Sequence, residues 1–339
     1  MAPTLRARGG RPGRRDLGLF GLGAAAAGLG IAPAAVRAQP ATWPDRPVRL
    51  VVPFGPGGAI DTLSRTVANA FPAQANGQSL VVENRGGAGG TIAGTAVAQA
   101  RPDGSTLMMA DLGANAIGHE MARIPYDPTK AFQAICHLVN LPLVLLVPAD
   151  SPAKDVAGLQ KMAREKPDLP YAHPGIGYIG HLAQELMMRQ LDIRMTPVPY
   201  RSGAEVVRSL LSKETDSAFI TVSTSLPFIR EGKLRALAVG SKAPIAALPG
   251  VPPLAATIPG FEAQVWHGIV GPAGLSPDVV AAANRVFNAV ARQPEVRQAV
   301  EQVQAGEVVG GTPDEFAAFI RGQTERWVPV IRAAGIKAE

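Results

Sequence analysis

The sequence predicts an α/β protein of two lobes, each a mixed, mostly parallel sheet flanked by helices. Three observations predict it. Short apolar runs of β type alternate with helix-spaced patterns from residue 48 onward, as expected of parallel strands joined by crossover helices. That alternation breaks at Pro148-Ala149-Asp150-Ser151-Pro152 and then restarts. Behind a proline-rich stretch (Pro244, Pro249, Pro252, Pro253, Pro259) and one further strand, the chain ends in helical patterns.

Val48–Val52 reads as a buried strand, and Ile60, Leu63, Val67 and Phe71 follow at helical spacing. Asn76-Gly77 is a turn signal that closes this helix. Leu80-Val81-Val82 reads as a second strand, Ile92 to Ala100 as a helix of small residues, and Thr106 to Ala110 as a third strand. Leu143 to Val147 is the last strand before the break. Beyond it, helices are expected near 155–165, 180–191 and 203–213, and strands near 170–172, 195–200, 216–221 and 234–239. Gln264 to Val270 reads as a further strand. Ser276-Pro277 then opens a helix with Val279, Val280, Ala283, Val286, Phe287 and Val290 on one face. Thr312-Pro313-Asp314-Glu315 is a capping box with proline at the first helical position, followed by an apolar stripe of Phe316, Phe319, Ile320 and Trp327. This order assigns 39–141 to a first lobe and 142–260 to a second. Residues 261–339 go to the first lobe again, since one return crossing is topologically simple.

The 339 residues suffice for about two domains, and 47% hydrophobic with 18% charged residues is a globular composition. The net charge of +6 does not signal nucleic-acid binding. Six of the 33 basic residues and one of the 27 acids fall in 1–38, leaving 27 against 26. No basic cluster with interleaved aromatics remains to follow a phosphate backbone.

Residues 1–38 read as a secretory signal. Arg14-Arg15 precedes an apolar run from Leu17 to Val36, and Val36-Arg37-Ala38 is a small-x-small cleavage pattern. The paired arginines point to the twin-arginine route, with cleavage near Ala38 and a periplasmic mature protein. The alternative is a permanent anchor, which Gly18, Gly21, Gly23, Gly28, Gly30 and Pro33 disfavour as a long helix. No other stretch is apolar over the ~20 residues a span requires. The single Cys136 forms no internal disulfide and reads as a small buried apolar residue.

Two glycine-rich segments carry the functional signal. Pro53-Phe54-Gly55-Pro56-Gly57-Gly58-Ala59-Ile60-Asp61 links the first strand to the first helix, and Asn84-Arg85-Gly86-Gly87-Ala88-Gly89-Gly90-Thr91 links the second strand to the second helix. Ligands of open parallel sheets bind outside the carboxyl ends of the strands, where both segments fall. Side chains of a single hydrogen leave the backbone N–H groups approachable, and helix starts add unpaired donors and partial positive charge. Two such starts on one sheet edge make an anion site without arginine. A hydrogen bond to a charged group contributes roughly 1.5–3 kcal/mol. Four or five of them supply most of the ~8 kcal/mol of a micromolar complex, less ordering costs. The plainer alternative is that the glycines only make tight turns.

Other chemistries find little support. Gly87-Ala88-Gly89 begins like a dinucleotide fingerprint, but Ile92 occupies the position of its third glycine. Gly232-Lys233 is followed by Leu234 and makes no phosphate loop. No Gly-x-Ser-x-Gly elbow occurs. His119, His137, His173, His181 and His267 form no zinc-binding pair, and His181 with Glu185 supplies two ligands at most, so no metal and no cofactor is expected. Asp61 and Asp111 could be paired carboxylates of an enzyme; a loop-bracing role for Asp61 is favoured over direct ligand contact.

These residues resemble a known family, the extracytoplasmic solute receptors of tripartite tricarboxylate transporters, or Bug family. The resemblance runs through Trp43-Pro44-Asp45-Arg46-Pro47-Val48-Arg49-Leu50-Val51-Val52-Pro53-Phe54, Pro56-Gly57-Gly58-x-x-Asp61, Val81-Val82-Glu83-Asn84-Arg85 and Gly87-Ala88-Gly89-Gly90. It continues through Arg101-Pro102-Asp103-Gly104, Pro125-Tyr126-Asp127-Pro128, Val198-Pro199-Tyr200, Gly232-Lys233-Leu234-Arg235-Ala236-Leu237-Ala238 and Gly271-Pro272-Ala273-Gly274. It implies a two-lobe periplasmic binding protein fold of the type II kind that closes on a small mono- or dicarboxylate, with delivery to a membrane permease. It also implies ligand contacts, largely through backbone and bridging water, at Phe54, Gly57, Gly58, Ala59 and Asp61 and at Ala88, Gly89, Gly90 and Thr91. Asp111, Gly175, Ile176, Tyr178 and Ile220 complete the expected site.

Departures from the family pattern fall in the second lobe. His173-Pro174-Gly175-Ile176-Gly177-Tyr178-Ile179 stands where relatives show a polar Ser-Ala-Gly-Asn-Gly-Thr-Ser type of loop, and Phe219-Ile220 where they tend to show Phe-Asp. A missing acid and added apolar groups argue against an amino-acid ligand, whose ammonium needs a carboxylate partner. The expected ligand is an organic acid with an apolar or aromatic body near Ile176, Tyr178 and Ile220. The competing readings are a ligand-sensing subunit of a membrane signalling protein and, behind it, an α/β enzyme acting on an organic acid.

Overall fold

Ten strands and ten helices follow one another in the computed structural model, which describes residues 43–337; the leader expected over 1–38 lies outside them. β1 (Val48–Val52), α1 (Ala59–Ala70), β2 (Leu80–Asn84), α2 (Thr91–Ala98) and β3 (Thr106–Ala110) form the first β–α–β run. A π-type turn (Gly113–Ile117) and α3 (Gly118–Met121) lead into β4 (Phe132–Pro148). Then come α4 (Val156–Glu165), β5 (Pro170–His173), α5 (Ile179–Leu191), β6 (Thr196–Pro199), α6 (Gly203–Leu211), β7 (Ser217–Thr221), α7 (Val222–Arg230) and β8 (Leu234–Val239). β9 (Gln264–Pro272), α8 (Pro277–Ala291), α9 (Pro294–Gln298), β10 (Glu307–Val308) and α10 (Pro313–Ala334) complete the chain.

Pairing divides the sheet into two halves that share β4. β1 lies parallel between β2 and β3, and β9 runs antiparallel between β3 and β4. In the other half β5 lies parallel between β6 and β7, while β7 and β8 both run antiparallel to β4. Residues 132–142 of β4 pair with β9, and residues 143–148 pair with β7 and β8. Each half is thus mixed, and the 17-residue β4 is the continuous thread between them. Almost every β4 residue is buried, as expected of a strand covered on both faces. Its first part is less legible in the sequence because His137, Asn140 and Pro142 interrupt the apolar run. α7 was equally hidden: Ser223, Thr224, Ser225 and Pro227 are poor helix formers, and packing overrides their propensity.

The helical faces predicted from spacing are mostly buried, with Val279, Val286, Phe319 and Ile320 half-buried at their margins. Ile60, Leu63 and Val67 of α1 are buried, and Phe71 beyond them packs 5.4 Å, centroid to centroid, from Phe287 of α8. Trp43 closes this cluster at 6.1 Å from Phe71 and donates through Nε1 to the Gly104 carbonyl. α8 therefore seals the first half-sheet. The capping box at Thr312 and Glu315 is formed, and behind it Phe316, Trp327, Val330 and Ile331 are buried. Their cluster includes Leu182 and Met187 of α5, so α10 packs on residues of both halves. Cys136 is buried in β4, and burial pushes its thiol up to about 12. No helix among the described residues is long and apolar enough to cross a membrane.

Candidate functional site

The loops after β1, β2 and β3 emerge at one end of their half-sheet and lie against one another. A Cβ on Gly86 would stand 3.1 Å from the Gly55 amide nitrogen, and a Cβ on Gly113 would stand 2.4 Å from the Gly89 carbonyl oxygen. Only glycine permits that second approach. Gly90 is needed for a different reason: its φ of +89° lies in the left-handed region.

Asp61 braces the first loop. It is buried, accepts from the Gly57 amide at 2.9 Å and from Asn84 Nδ2 at 2.9 Å, and pairs with Arg65 Nε at 3.0 Å. Asn84 Nδ2 also donates to the Phe54 carbonyl at 3.0 Å. The Arg65 guanidinium, then the Gly57 and Asn84 donors, hold the Asp61 carboxyl down at about 2 against the opposing effect of burial. The Asp61 carboxylate and the Gly57 amide are thereby bonded to each other. Gly58, Ala59 and Phe54 are exposed, and α1 starts at Gly58 without a side-chain cap, so its first-turn amides have no partner within the helix.

In the second loop Thr91 is buried and its hydroxyl donates to the Ala88 carbonyl at 2.8 Å, while the Gly90 amide donates to the Gly87 carbonyl. Ala88 holds a φ of +47°, a strained conformation for a residue with a Cβ. Gly89 and Ala88 are exposed, and α2 also begins without a side-chain cap.

The second-lobe loop is held from below by histidines. The rings of His173 and His181 stack at 4.1 Å with 9° between their planes. His173 Nδ1 bonds the Gly175 carbonyl at 2.8 Å, so that nitrogen carries the proton. His181 Nδ1 accepts from the Gly177 amide at 3.3 Å, which leaves the proton on Nε2, 3.8 Å from Glu185 Oε1. The Tyr171 hydroxyl donates to the same Glu185 oxygen at 2.5 Å. Burial lowers both histidines, His181 to about 3 with help from His173. Spacing had placed His181 and Glu185 on one helical face; the structure uses them to position the loop.

Between these loops lies a cavity of about 270 Å³. Of the residues expected from the sequence, Phe54, Gly89, Asp111, Gly175, Ile176 and Tyr178 line it. Gly57, Gly58, Ala59, Asp61, Ala88, Gly90 and Thr91 lie in the loops around it and are not on its wall. The expectation for Ile220 is corrected: its side chain is 1% exposed and packs in the sheet core with Val144, Leu146 and Val206. An acid or an apolar group at that position therefore says nothing about this cavity. Leu112, Met121, Trp266 and His267 also line the cavity and were missed. Their only local sign was membership of apolar or strand segments. Tertiary packing alone brings β9 beside the loops, and Met121 against Gly177, where an added Cβ would come 2.3 Å from the Met121 sulfur.

The cavity holds no lysine or arginine. Asp111, at the end of β3, accepts from the amides of Ala114 at 3.1 Å and Gly113 at 3.2 Å, and burial raises it to about 6. His267 is pulled to about 4, chiefly by burial, and is neutral at pH 7. Among the described residues no three His, Cys, Asp or Glu side chains converge as a metal site. A larger groove of about 770 Å³ runs beside Lys242, Glu262 and Glu307, and none of the predicted loops reaches it.

Residues 63–336 match the model of the tripartite tricarboxylate transporter family receptor. The chain belongs to this family. It is 35% identical over 292 residues to the UPF0065 protein in the tcbD-tcbE intergenic region of Pseudomonas sp. (strain P51), covering 85% of this chain and 86% of that one. Among solved structures it is similar to an R. palustris protein with adipate (TM-score 0.75, 30% identity, 87% of this chain and 99% of that one). It is also similar to MatC from Rhodopseudomonas palustris with bound malate (TM-score 0.73, 29% identity, 85% and 100%). The two-lobe periplasmic binding fold and the solute-receptor class follow from this membership.

Proposed function

We propose that this receptor captures a small organic carboxylate in the cavity between the glycine-rich loops and loop 174–178, and presents it to a membrane permease. The supporting observation is the composition of the cavity wall. Besides Asp111, Gln264 and the neutral His267 it offers loop backbone and apolar side chains, and no lysine or arginine, so a carboxylate there is met by backbone amides of the glycine-rich loops, of which Gly89 reaches the wall. That two related structures carry adipate and malate supports the same ligand class. Lobe 1 comprises 39–141 and 261–339, lobe 2 comprises 142–260, and closure of one on the other buries the ligand. Residues 1–38 direct export to the periplasm, by the twin-arginine route, and are removed near Ala38. The protein performs no chemistry on what it binds.

The test is a thermal-shift screen of organic acids followed by calorimetry and solution scattering. Ligands raise the melting point, increasingly as their concentration exceeds the dissociation constant, and closure reduces the radius of gyration. A protein that no carboxylate stabilises, or that turns over the acid it binds, contradicts this reading.

A further inference from the structure

We propose that the ligand carries a cationic nitrogen close to its carboxylate, and that Asp111 is the residue that selects it. This rests on the carboxylate-receptor reading above. The sequence pointed the other way, because position 220 holds isoleucine where an acid would meet an ammonium group. Ile220 is in the sheet core, and the structure supplies an acid from the other lobe.

Asp111 is 7% exposed and stands on the cavity wall. Its two oxygens cap the turn that begins at Leu112, through the amides of Gly113 and Ala114. Capping needs an acceptor and not a charge; asparagine and serine do it as well. The charge is therefore surplus to the local structure. No cation neutralises it: only the Gly113 and Ala114 amides act on Asp111 against burial, and no lysine or arginine lines the cavity. The nearby His267 is neutral, and the Tyr126 hydroxyl is turned to the Ala114 carbonyl at 2.9 Å. A buried carboxylate without a counter-ion is costly. A simple anion bound beside it adds repulsion, whereas an ammonium removes the cost.

The placement is equally specific. The position a Cβ would take on Gly90 is 3.3 Å from Asp111 Oδ1, so this carboxylate abuts the second glycine-rich loop, whose Gly89 lines the cavity beside it. On the carboxylate-receptor reading, the loop that meets the anion and an acceptor for a cation thus lie side by side, as the two ends of an α- or β-amino acid do. The apolar Leu112, Met121, Ile176 and Tyr178 take the rest of the molecule, which is aliphatic or aromatic.

The experiment pairs aminated with deaminated acids of the same skeleton, such as phenylalanine with 3-phenylpropanoate, leucine with 4-methylpentanoate and aspartate with succinate. Binding is measured by calorimetry on the wild-type protein and on Asp111→Asn. Aminated members bind more tightly than their partners, and Asp111→Asn lowers their affinity by roughly 30-fold or more, the usual loss for truncating one side of a buried charge pair. The same variant leaves deaminated acids unchanged or tighter. Asp111→Ser, which also caps, reproduces the result if the asparagine variant is poorly folded. Tighter binding of deaminated acids, strengthened by Asp111→Asn, overturns the proposal and leaves the carboxylate receptor standing. No binding in either arm overturns both.

Discussion

The amide of Gly177 donates to Nδ1 of His181 across 3.3 Å, so the tip of the second-lobe loop hangs on an imidazole that must remain unprotonated at that nitrogen. An unfolded histidine titrates near 6.5, and burial together with His173 brings His181 down to about 3 in the fold. The fold favours the neutral ring. Its contribution to stability is complete above about pH 6.5 and is lost as pH falls from there toward 3. His181→Gln is expected to lower stability at pH 7.5 by on the order of 1–3 kcal/mol. The gap to wild type should shrink steadily below pH 6, read from urea midpoints. A gap independent of pH would show that the ring's protonation is immaterial.

Asp61 is also lowered in the fold, but here it is the charged form that the fold favours, and the loss on acidification comes at lower pH. Its folded value of about 2 lies below the ordinary 3.8, so its contribution is present above about pH 4 and disappears as pH falls through 2. Asp61→Ala removes the acceptor of the Gly57 amide, of Arg65 and of Asn84. The expected loss is about 2–4 kcal/mol at neutral pH, with weaker ligand binding because the first loop loosens. Ligand affinity kept intact alongside that stability loss would separate the brace from the site.

Gly113→Ala places a methyl group 2.4 Å from the Gly89 carbonyl oxygen, a backbone atom that cannot swing aside. The second loop must move, at a cost of about 1–3 kcal/mol and a marked loss of affinity. Gly322→Ala, in α10 with open space around it, is the control. It should stabilise by about 0.5–1 kcal/mol and leave binding untouched. Equal behaviour of the two variants would contradict the close packing of the loops.

Gly58 has a φ of −78° and nothing nearer than 4.0 Å to an added Cβ, so Gly58→Leu is expected to fold with a stability within about 0.5 kcal/mol of wild type. If the α1 amides hold the ligand, the leucine side chain covers them and affinity falls sharply. Unchanged affinity in calorimetry would confine the anion site to the Ala88–Gly90 loop.

Local pattern was enough for most of the strand and helix order, though not for α3, α7, α9 or β10, because apolar periodicity, a capping box and glycine-rich turns are signals that survive in one dimension. Val48–Val52, the Ile60–Leu63–Val67 face and the Thr312–Glu315 cap were all legible for that reason. Tertiary structure decided what each loop residue faces. Asp61 and Thr91 turn inward to bond their own loops, and Ile220 belongs to the core of the second half-sheet. Asp111 and Met121 meet Trp266 and His267 at one cavity across about 145 residues of chain. Exposure to a cavity depends on which distant segment packs opposite, and the free energy of an unpaired carboxylate depends on the charges around it in space. Neither quantity is written in the neighbouring residues, so the contribution of β9 to the cavity and the lack of a cation beside Asp111 emerge only in the folded chain.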